Sequence, residues 1–106
     1  KPDFAYFYNG RGLAYDNKGE YDAAIKDYSE AIRLNPDFAL AYLNRGVVYG
    51  EKEDYDKAIK DYTEAIRLKP DLAIAYRNRG TAYEKQGDQA KADADFAKAK
   101  ELKAKK

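Results

Sequence analysis

The chain has no cysteine and no histidine. The first absence excludes disulfides, thiolate metal sites and thiol catalysis. Together the two remove the usual nucleophile and base pairs and the zinc ligand sets. No apolar run approaches the roughly 20 residues that a membrane helix needs, and no charged, apolar, small-residue succession of a secretory leader opens the sequence. The expectation is a soluble chain with no membrane partner; the compartment stays open, with the cytoplasm only weakly favoured. An excess of charge is also missing: 20 Lys and Arg stand against 19 Asp and Glu, for a net charge of +1. The overall balance therefore gives no reason to expect a nucleic-acid partner, and partner choice must come from local patches. Proline is scarce, and Pro2, Pro36 and Pro70 fall at one fixed interval.

That interval is the dominant feature. Sliding the sequence by 34 residues lays Asp3 to Pro36 over Asp37 to Pro70 with roughly three positions in five identical, the period of a helical repeat array. Anchors recur in threes: Tyr8, Tyr42 and Tyr76; Gly12, Gly46 and Gly80; Tyr15, Tyr49 and Tyr83; Ala24, Ala58 and Ala92; Tyr28, Tyr62 and Phe96; Ala31, Ala65 and Ala99. Tyr42, Gly46 and Tyr49 are spaced to share one helical face, and so are Ala58, Tyr62, Ala65 and Ile66. Each unit therefore reads as two helices. Gly46 and Ala58 are small where a partner helix must come close, so Gly46 is a packing residue in spite of its low helix propensity. Asp37 and Asp71 follow the prolines as expected caps of the next helix, with Pro2 and Asp3 in the same place. Gly19 and Gly87 can take the left-handed conformation that ends a helix, whereas Glu53 occupies that place in the second unit. The predicted helices run at 4–18, 21–34, 38–52, 55–68, 72–86 and 89–104, in repeats 3–36, 37–70 and 71–104 of a single domain, 1–106.

These anchors and their order, Tyr, Gly and Tyr, then Ala, an aromatic, Ala and a closing Pro, resemble the tetratricopeptide repeat in its "NRG" variety over essentially the whole chain. The resemblance implies an all-α, right-handed α-solenoid of three helix-turn-helix units. It also implies a protein-protein interaction scaffold, with no enzymatic activity, no cofactor and no metal. "DNKGEYD", Asp16 to Asp22, has an outline of a calcium loop, but Lys18 fills a would-be ligand position and the closing Glu is missing.

Arg11, Arg45 and Arg79 sit where the helical pattern asks for an apolar residue, and each has an aspartate sixteen positions later: Asp27, Asp61 and Asp95. A two-helix hairpin can bring these together, the arginine stem lying on the flanking tyrosines. The alternative is that both are solvated surface charges.

The two ends differ. Pro2, Asp3, Phe4 and Ala5 repeat Pro36, Asp37, Phe38 and Ala39, so the expectation is a fragment of a longer array whose N-terminal face, with Phe4 and Phe7, could stack on another copy. In the last helix Gln89, Asp93 and Lys100 replace Tyr21, Ile25 and Ile32, the polar outer face with which a stacked array ends in water. The lysines from Lys98 to Lys106 fit a solvated helix end better than a nucleic-acid contact, and cations suit a helix C-terminus.

In stacked helical pairs the first helices line a concave groove. The candidate partner-binding residues are Tyr6, Asn9 and Leu13 with Gly10 among them, then Leu40, Leu43, Asn44 and Val47, then Ile74, Arg77, Asn78 and Thr81. Leu40, Leu43, Val47 and Ile74 are expected as an exposed apolar patch, and Asn44 and Asn78 as amides able to hold a peptide backbone, or else as neutral lining. Some family members grip the terminal carboxylate of a heat-shock chaperone with five groups. The matching places here are Asn9, Leu13, Asn44, Ile74 and Asn78, of which only Asn44 agrees, so the expected ligand is an internal or apolar segment of a protein or peptide partner.

Overall fold

The computed structural model describes the backbone of residues 2–105 and the side chains of residues 4–105. Six helices follow one another: α1 (Pro2–Asn17), α2 (Tyr21–Leu34), α3 (Ala39–Glu51), α4 (Tyr55–Leu68), α5 (Ala73–Lys85) and α6 (Gln89–Ala104). The boundaries lie within two residues of those read from the sequence. No strand is present among the described residues, and no described helix is long and apolar enough to cross a membrane. Each helix packs against the next in chain order. α1 also touches α3, and α3 touches α5, whereas α2 and α4 do not meet. Successive first helices are thus closer than successive second helices, which curves the α-solenoid with α1, α3 and α5 on its inside.

The helix ends show how each hairpin closes. After α3 the Asp54 amide donates to the Tyr49 carbonyl at 2.8 Å and the Glu53 amide to the Gly50 carbonyl at 2.9 Å, the paired bonds of a Schellman stop. The same stop follows α1 and α5, where Gly19 and Gly87 have φ of 78° and 84°. Glu53 is forced to φ 64° in their place. Helix starts differ from the sequence reading. Asp37 and Asp71 do not cap α3 and α5, whose caps are Phe38 and Leu72 without side-chain bonds. They are held in turns instead, the Phe38 amide donating to the Asn35 carbonyl and the Leu72 amide to the Lys69 carbonyl, both at 3.1 Å. Proline favours the second position of such a turn, which leaves the aspartate third and short of the free amides. The capping carboxylates are Asp54 and Asp88, which accept from the amides of Lys57 at 3.4 Å and Lys91 at 3.2 Å. The side chains of Pro2 and Asp3, assigned the same role, lie outside the described residues.

Within each hairpin, glycine and an aromatic ring make the closest contact. A Cβ on Gly46 would stand 2.7 Å from Tyr62 Cε1, and Gly12 and Gly80 meet Tyr28 and Phe96 in the same way. Any side chain at these positions would drive the ring out of its place. Beside this contact the arginines and aspartates pair as expected. Arg45 Nε and Nη2 each donate to Asp61 at 2.8 Å. Arg11 reaches Asp27 at 2.7 and 3.0 Å, and Arg79 reaches Asp95 at 2.7 and 2.8 Å. The Arg45 guanidinium lies 5.7 Å from the Tyr42 ring centre and 5.9 Å from that of Tyr49. The hydrogen bonds to the carboxylates hold the Arg45 and Arg79 guanidinium groups above their usual basicity against the effect of burial. The three aspartates are buried, so losing one of them strands a charge.

Asp61→Ala is expected to cost about 3 kcal/mol in urea unfolding, against under about 0.5 kcal/mol for an exposed change such as Lys60→Ala; equal midpoints would contradict the coupling. Glu53→Gly removes a left-handed penalty of about 1 kcal/mol and should raise the unfolding midpoint, whereas an unchanged or lower midpoint would show that Glu53 is not strained.

Candidate partner-binding groove

The inner row comes from three helices that place equivalent residues side by side. On α1, Tyr6 is 62% exposed and meets Phe38 edge-on at 5.1 Å, while Leu13 is 46% exposed. Asn9 is half-buried and accepts a hydrogen bond from Asn44 Nδ2 at 3.1 Å. That bond joins two of the amides singled out from the sequence and leaves the Asn44 carbonyl oxygen for another donor. Gly10 faces open space. On α3, Leu40 is 47% exposed, but Leu43 is only 8% exposed and Val47 packs against the same core cluster. The apolar patch is therefore narrower than the sequence suggests. Leu43 clusters with Ala58 and Tyr62 of its own unit's α4 and with Ala75 of the next unit, so its burial depends on two other helices, which a single helix pattern does not contain. On α5, Ile74 is 41% exposed. Arg77 is exposed beside it, the two lining a small cavity of about 90 Å³ with Ala99 and Lys103. Thr81 Oγ1 donates to the Arg77 carbonyl at 3.2 Å.

Asn78, Thr81 and Val47 converge on a larger cleft of about 260 Å³ between α3 and α5, floored by Ala58 and Tyr62 of α4. Gly50, Glu51, Tyr55, Ala82 and Lys85 complete it, and the sequence reading passed over all five as groove residues. The signal was present: Glu51 lies one turn beyond Val47 and Lys85 one turn beyond Thr81, so the same stripe runs on by i+4. Gly50 keeps the cleft open, because the space above it is clear until the Tyr62 hydroxyl at 3.9 Å. The equivalent place in the first unit is occupied by Asp16, and there the Tyr28 hydroxyl is buried without a hydrogen-bond partner among the described residues. Loss of hydration, a hydrogen bond with Asp16 and that residue's like charge push the Glu51 carboxyl from about 4.5 up to about 7.

Comparison with known proteins follows this geometry. A family model described as "TPR repeat" matches residues 17–53 and 48–87, and one described as "Tetratricopeptide repeat" matches 73–106. Among solved structures, MamA is 37% identical at a TM-score of 0.94, over 99% of this chain and 61% of that one. The chain thus spans about three fifths of the MamA chain. The second TPR of Spaghetti (RPAP3), bound to the HSP90 peptide SRMEEVD, is 32% identical at a TM-score of 0.91, covering 93% of this chain and 92% of that one. The Arabidopsis OM64 TPR domain is 30% identical at 0.94, covering 98% and 86%. Comparison with the curated proteins gives no significant match.

The Glu51 proton gives a test of the groove's electrostatics. The folded state binds this proton more tightly than the unfolded chain, so the stability that this group contributes is fully present below about pH 4.5 and is lost as pH rises through about 7. No histidine or cysteine titrates in that window. Unfolding free energy should decline between about pH 5 and 8 in the natural chain and stay flat in Glu51→Gln; parallel profiles would show that the folded state does not hold the Glu51 proton more tightly than the unfolded chain.

Proposed function

The chain belongs to the tetratricopeptide repeat family, and from that premise we propose that its concave side binds a segment of a partner protein, laid across α1, α3 and α5 as an extended peptide or a helix. The observation that carries this reading is the alternation along the row. The exposed apolar side chains of Leu13, Leu40 and Ile74 lie beside the amides of Asn9, Asn44 and Asn78, next to an open cleft floored by the Tyr62 ring. Apolar surface with a few convergent polar groups is the make-up of a recognition site. A backbone amide or carbonyl of the ligand finds its complement in Asn44 and Asn78, and an apolar side chain finds room between Val47 and Ala82.

The peptide held by the Spaghetti domain makes a groove ligand reasonable here. Its charge pattern is a poor guide to this one. Asn9 and Ile74 put uncharged side chains where the carboxylate-gripping relatives need lysines, Leu13 replaces one of their asparagines, and Arg77 is the cation on the row. The expected ligand is therefore an internal, partly apolar segment. The rival reading is that the chain stacks on copies of itself through α1. The exposure of Phe4 and Phe7, 55% and 53%, favours it, and the polar outer face of α6 disfavours it.

Selection of a displayed random-peptide library on the natural chain and on Asn44→Ala/Asn78→Ala tests the groove. Peptides should enrich on the first, and bind the second about tenfold or more weakly for the loss of each well-made hydrogen bond. Enriched peptides that bind both proteins alike, or no enrichment at all, would overturn the assignment of the groove.

A further inference from the structure

The contacts between units also describe what fits the outer face of α1, a surface separate from the groove. Where α2 meets α3, Arg45 Nη1, the nitrogen left over from the Asp61 pair, donates to Ser29 Oγ at 3.0 Å. Two turns further along α3, Lys52 Nζ is bonded to Asp22 at the start of α2. Where α4 meets α5 the same two points recur: Arg79 Nη1 donates to Thr63 Oγ1 at 3.2 Å, and Gln86 is bonded to Asp56. Both seams are thus pinned in antiparallel register by an acid and a hydroxyl seven residues apart on the second helix. Ile25 and Ile32 lie on the same stretch of α2, as Ile59 and Ile66 do on α4. Val48 lies between the pins, and Ala41 and Phe38 precede the Arg45 pin; all three are buried.

α1 carries the whole receiving half of this seam. Phe4, Phe7, Arg11, Ala14 and Lys18 stand where Phe38, Ala41, Arg45, Val48 and Lys52 stand on α3, and all five are exposed. Arg11 uses Nε and Nη2 on Asp27, and among the described residues its Nη1 has no counterpart to Ser29 or Thr63. Its side chain is accordingly 46% exposed, against 20% for Arg45 and 18% for Arg79. A second copy cannot fill this face well. The outer face of α6 has Ala90 and Ala97 where the acid and the hydroxyl belong, and Asp93 and Lys100 in place of the two isoleucines.

We propose that the α1 face is a docking site for an amphipathic helix of another protein. That helix carries an Asp or Glu and, seven residues later, a Ser or Thr, with β-branched or other aliphatic residues at the third and tenth positions after the acid. The acid pairs with Lys18 and the hydroxyl accepts from Arg11 Nη1, while the aliphatic residues cover Phe4, Phe7 and Ala14.

The test builds that pattern onto the solvated face of α6. A donor chain carries Ala90→Asp, Asp93→Ile, Ala97→Ser and Lys100→Ile, together with Phe7→Glu to block its own α1. All five changes fall on exposed positions, and circular dichroism checks the fold. Mixed with the natural chain, the donor should give a 1:1 complex of about twice the 12.1 kDa of one chain by light scattering, with a dissociation constant on the order of micromolar, as suits a small transient interface. The natural chain alone should stay monomeric, and Phe7→Glu in the acceptor should abolish the complex. A donor without Ala97→Ser should bind about tenfold more weakly, for the lost bond to a charged donor. In a second measurement, a stapled peptide of the Tyr21–Leu34 sequence should shift the amide resonances of Phe7, Arg11 and Lys18. A folded donor that forms no complex, a peptide that leaves those resonances in place, indifference to the Ser, or a natural chain that is already dimeric through α1 would each overturn the proposal. None of these outcomes bears on the groove, whose test reads Asn44 and Asn78.

Discussion

A guanidinium held on a carboxylate sixteen residues further along the chain sets how each helix pair closes. The aspartates lie inside the fold, at 4 to 6% exposure, and a buried carboxylate without its cation is costly enough to exclude other arrangements of the hairpin. The cation in turn cannot move, because tyrosines one turn before and after it flank the guanidinium. The contact of glycine with the aromatic ring one residue beyond the pair fixes the separation of the two helices, while the ion pair fixes their register. Neither suffices alone: the glycine contact permits sliding along the helix axis, and the ion pair tolerates changes of distance that the ring does not. The two together explain why arginine is found at a position whose neighbours are packed and apolar.

The arginine has a second role that links the hairpins to the array. Its fork offers more donors than one carboxylate can accept, and the spare nitrogen of Arg45 and Arg79 reaches back to a hydroxyl of the preceding unit. Local closure and stacking are therefore coupled through one side chain, as expected where each unit is stabilised mainly by its neighbours. Lysine would not serve, since its single ammonium lacks the planar fork that divides between a carboxylate in one unit and a hydroxyl in another.

Much of this was legible in the residues. The 34-residue period, the six helices, the glycine contacts and the three ion pairs all follow from spacings that repeat within one chain. The left-handed Glu53 was legible because two glycines mark its place. What escaped was whatever depends on the neighbouring unit or on competition between nearby groups. Asp37 and Asp71 looked like caps because they precede a helix, but the preceding proline places them in a turn, and Asp54 and Asp88 take the free amides. Leu43 shares the stripe of Leu40, yet the adjoining Ala75 and Tyr62 cover it. The cleft over Gly50 needs three helices at once, and periodicity along one helix shows only one of its walls.

Three near copies in one chain also separate what maintains the fold from what is free to vary. The arginines, aspartates, glycines and small alanines agree in all three units, and apart from the arginine head groups they are buried. The concave row does not agree: Tyr6, Leu40 and Ile74 are equivalent, as are Asn9, Leu43 and Arg77, and Leu13, Val47 and Thr81. Packing has little to say about most of these positions, since Tyr6, Leu13, Leu40, Ile74, Arg77 and Thr81 are all exposed. Aromatic, amide, aliphatic and cationic groups have been placed in turn on a backbone that repeats itself. On the proposed reading, a surface of that kind would distinguish one end of a bound segment from the other, which a strictly repeated groove could not do.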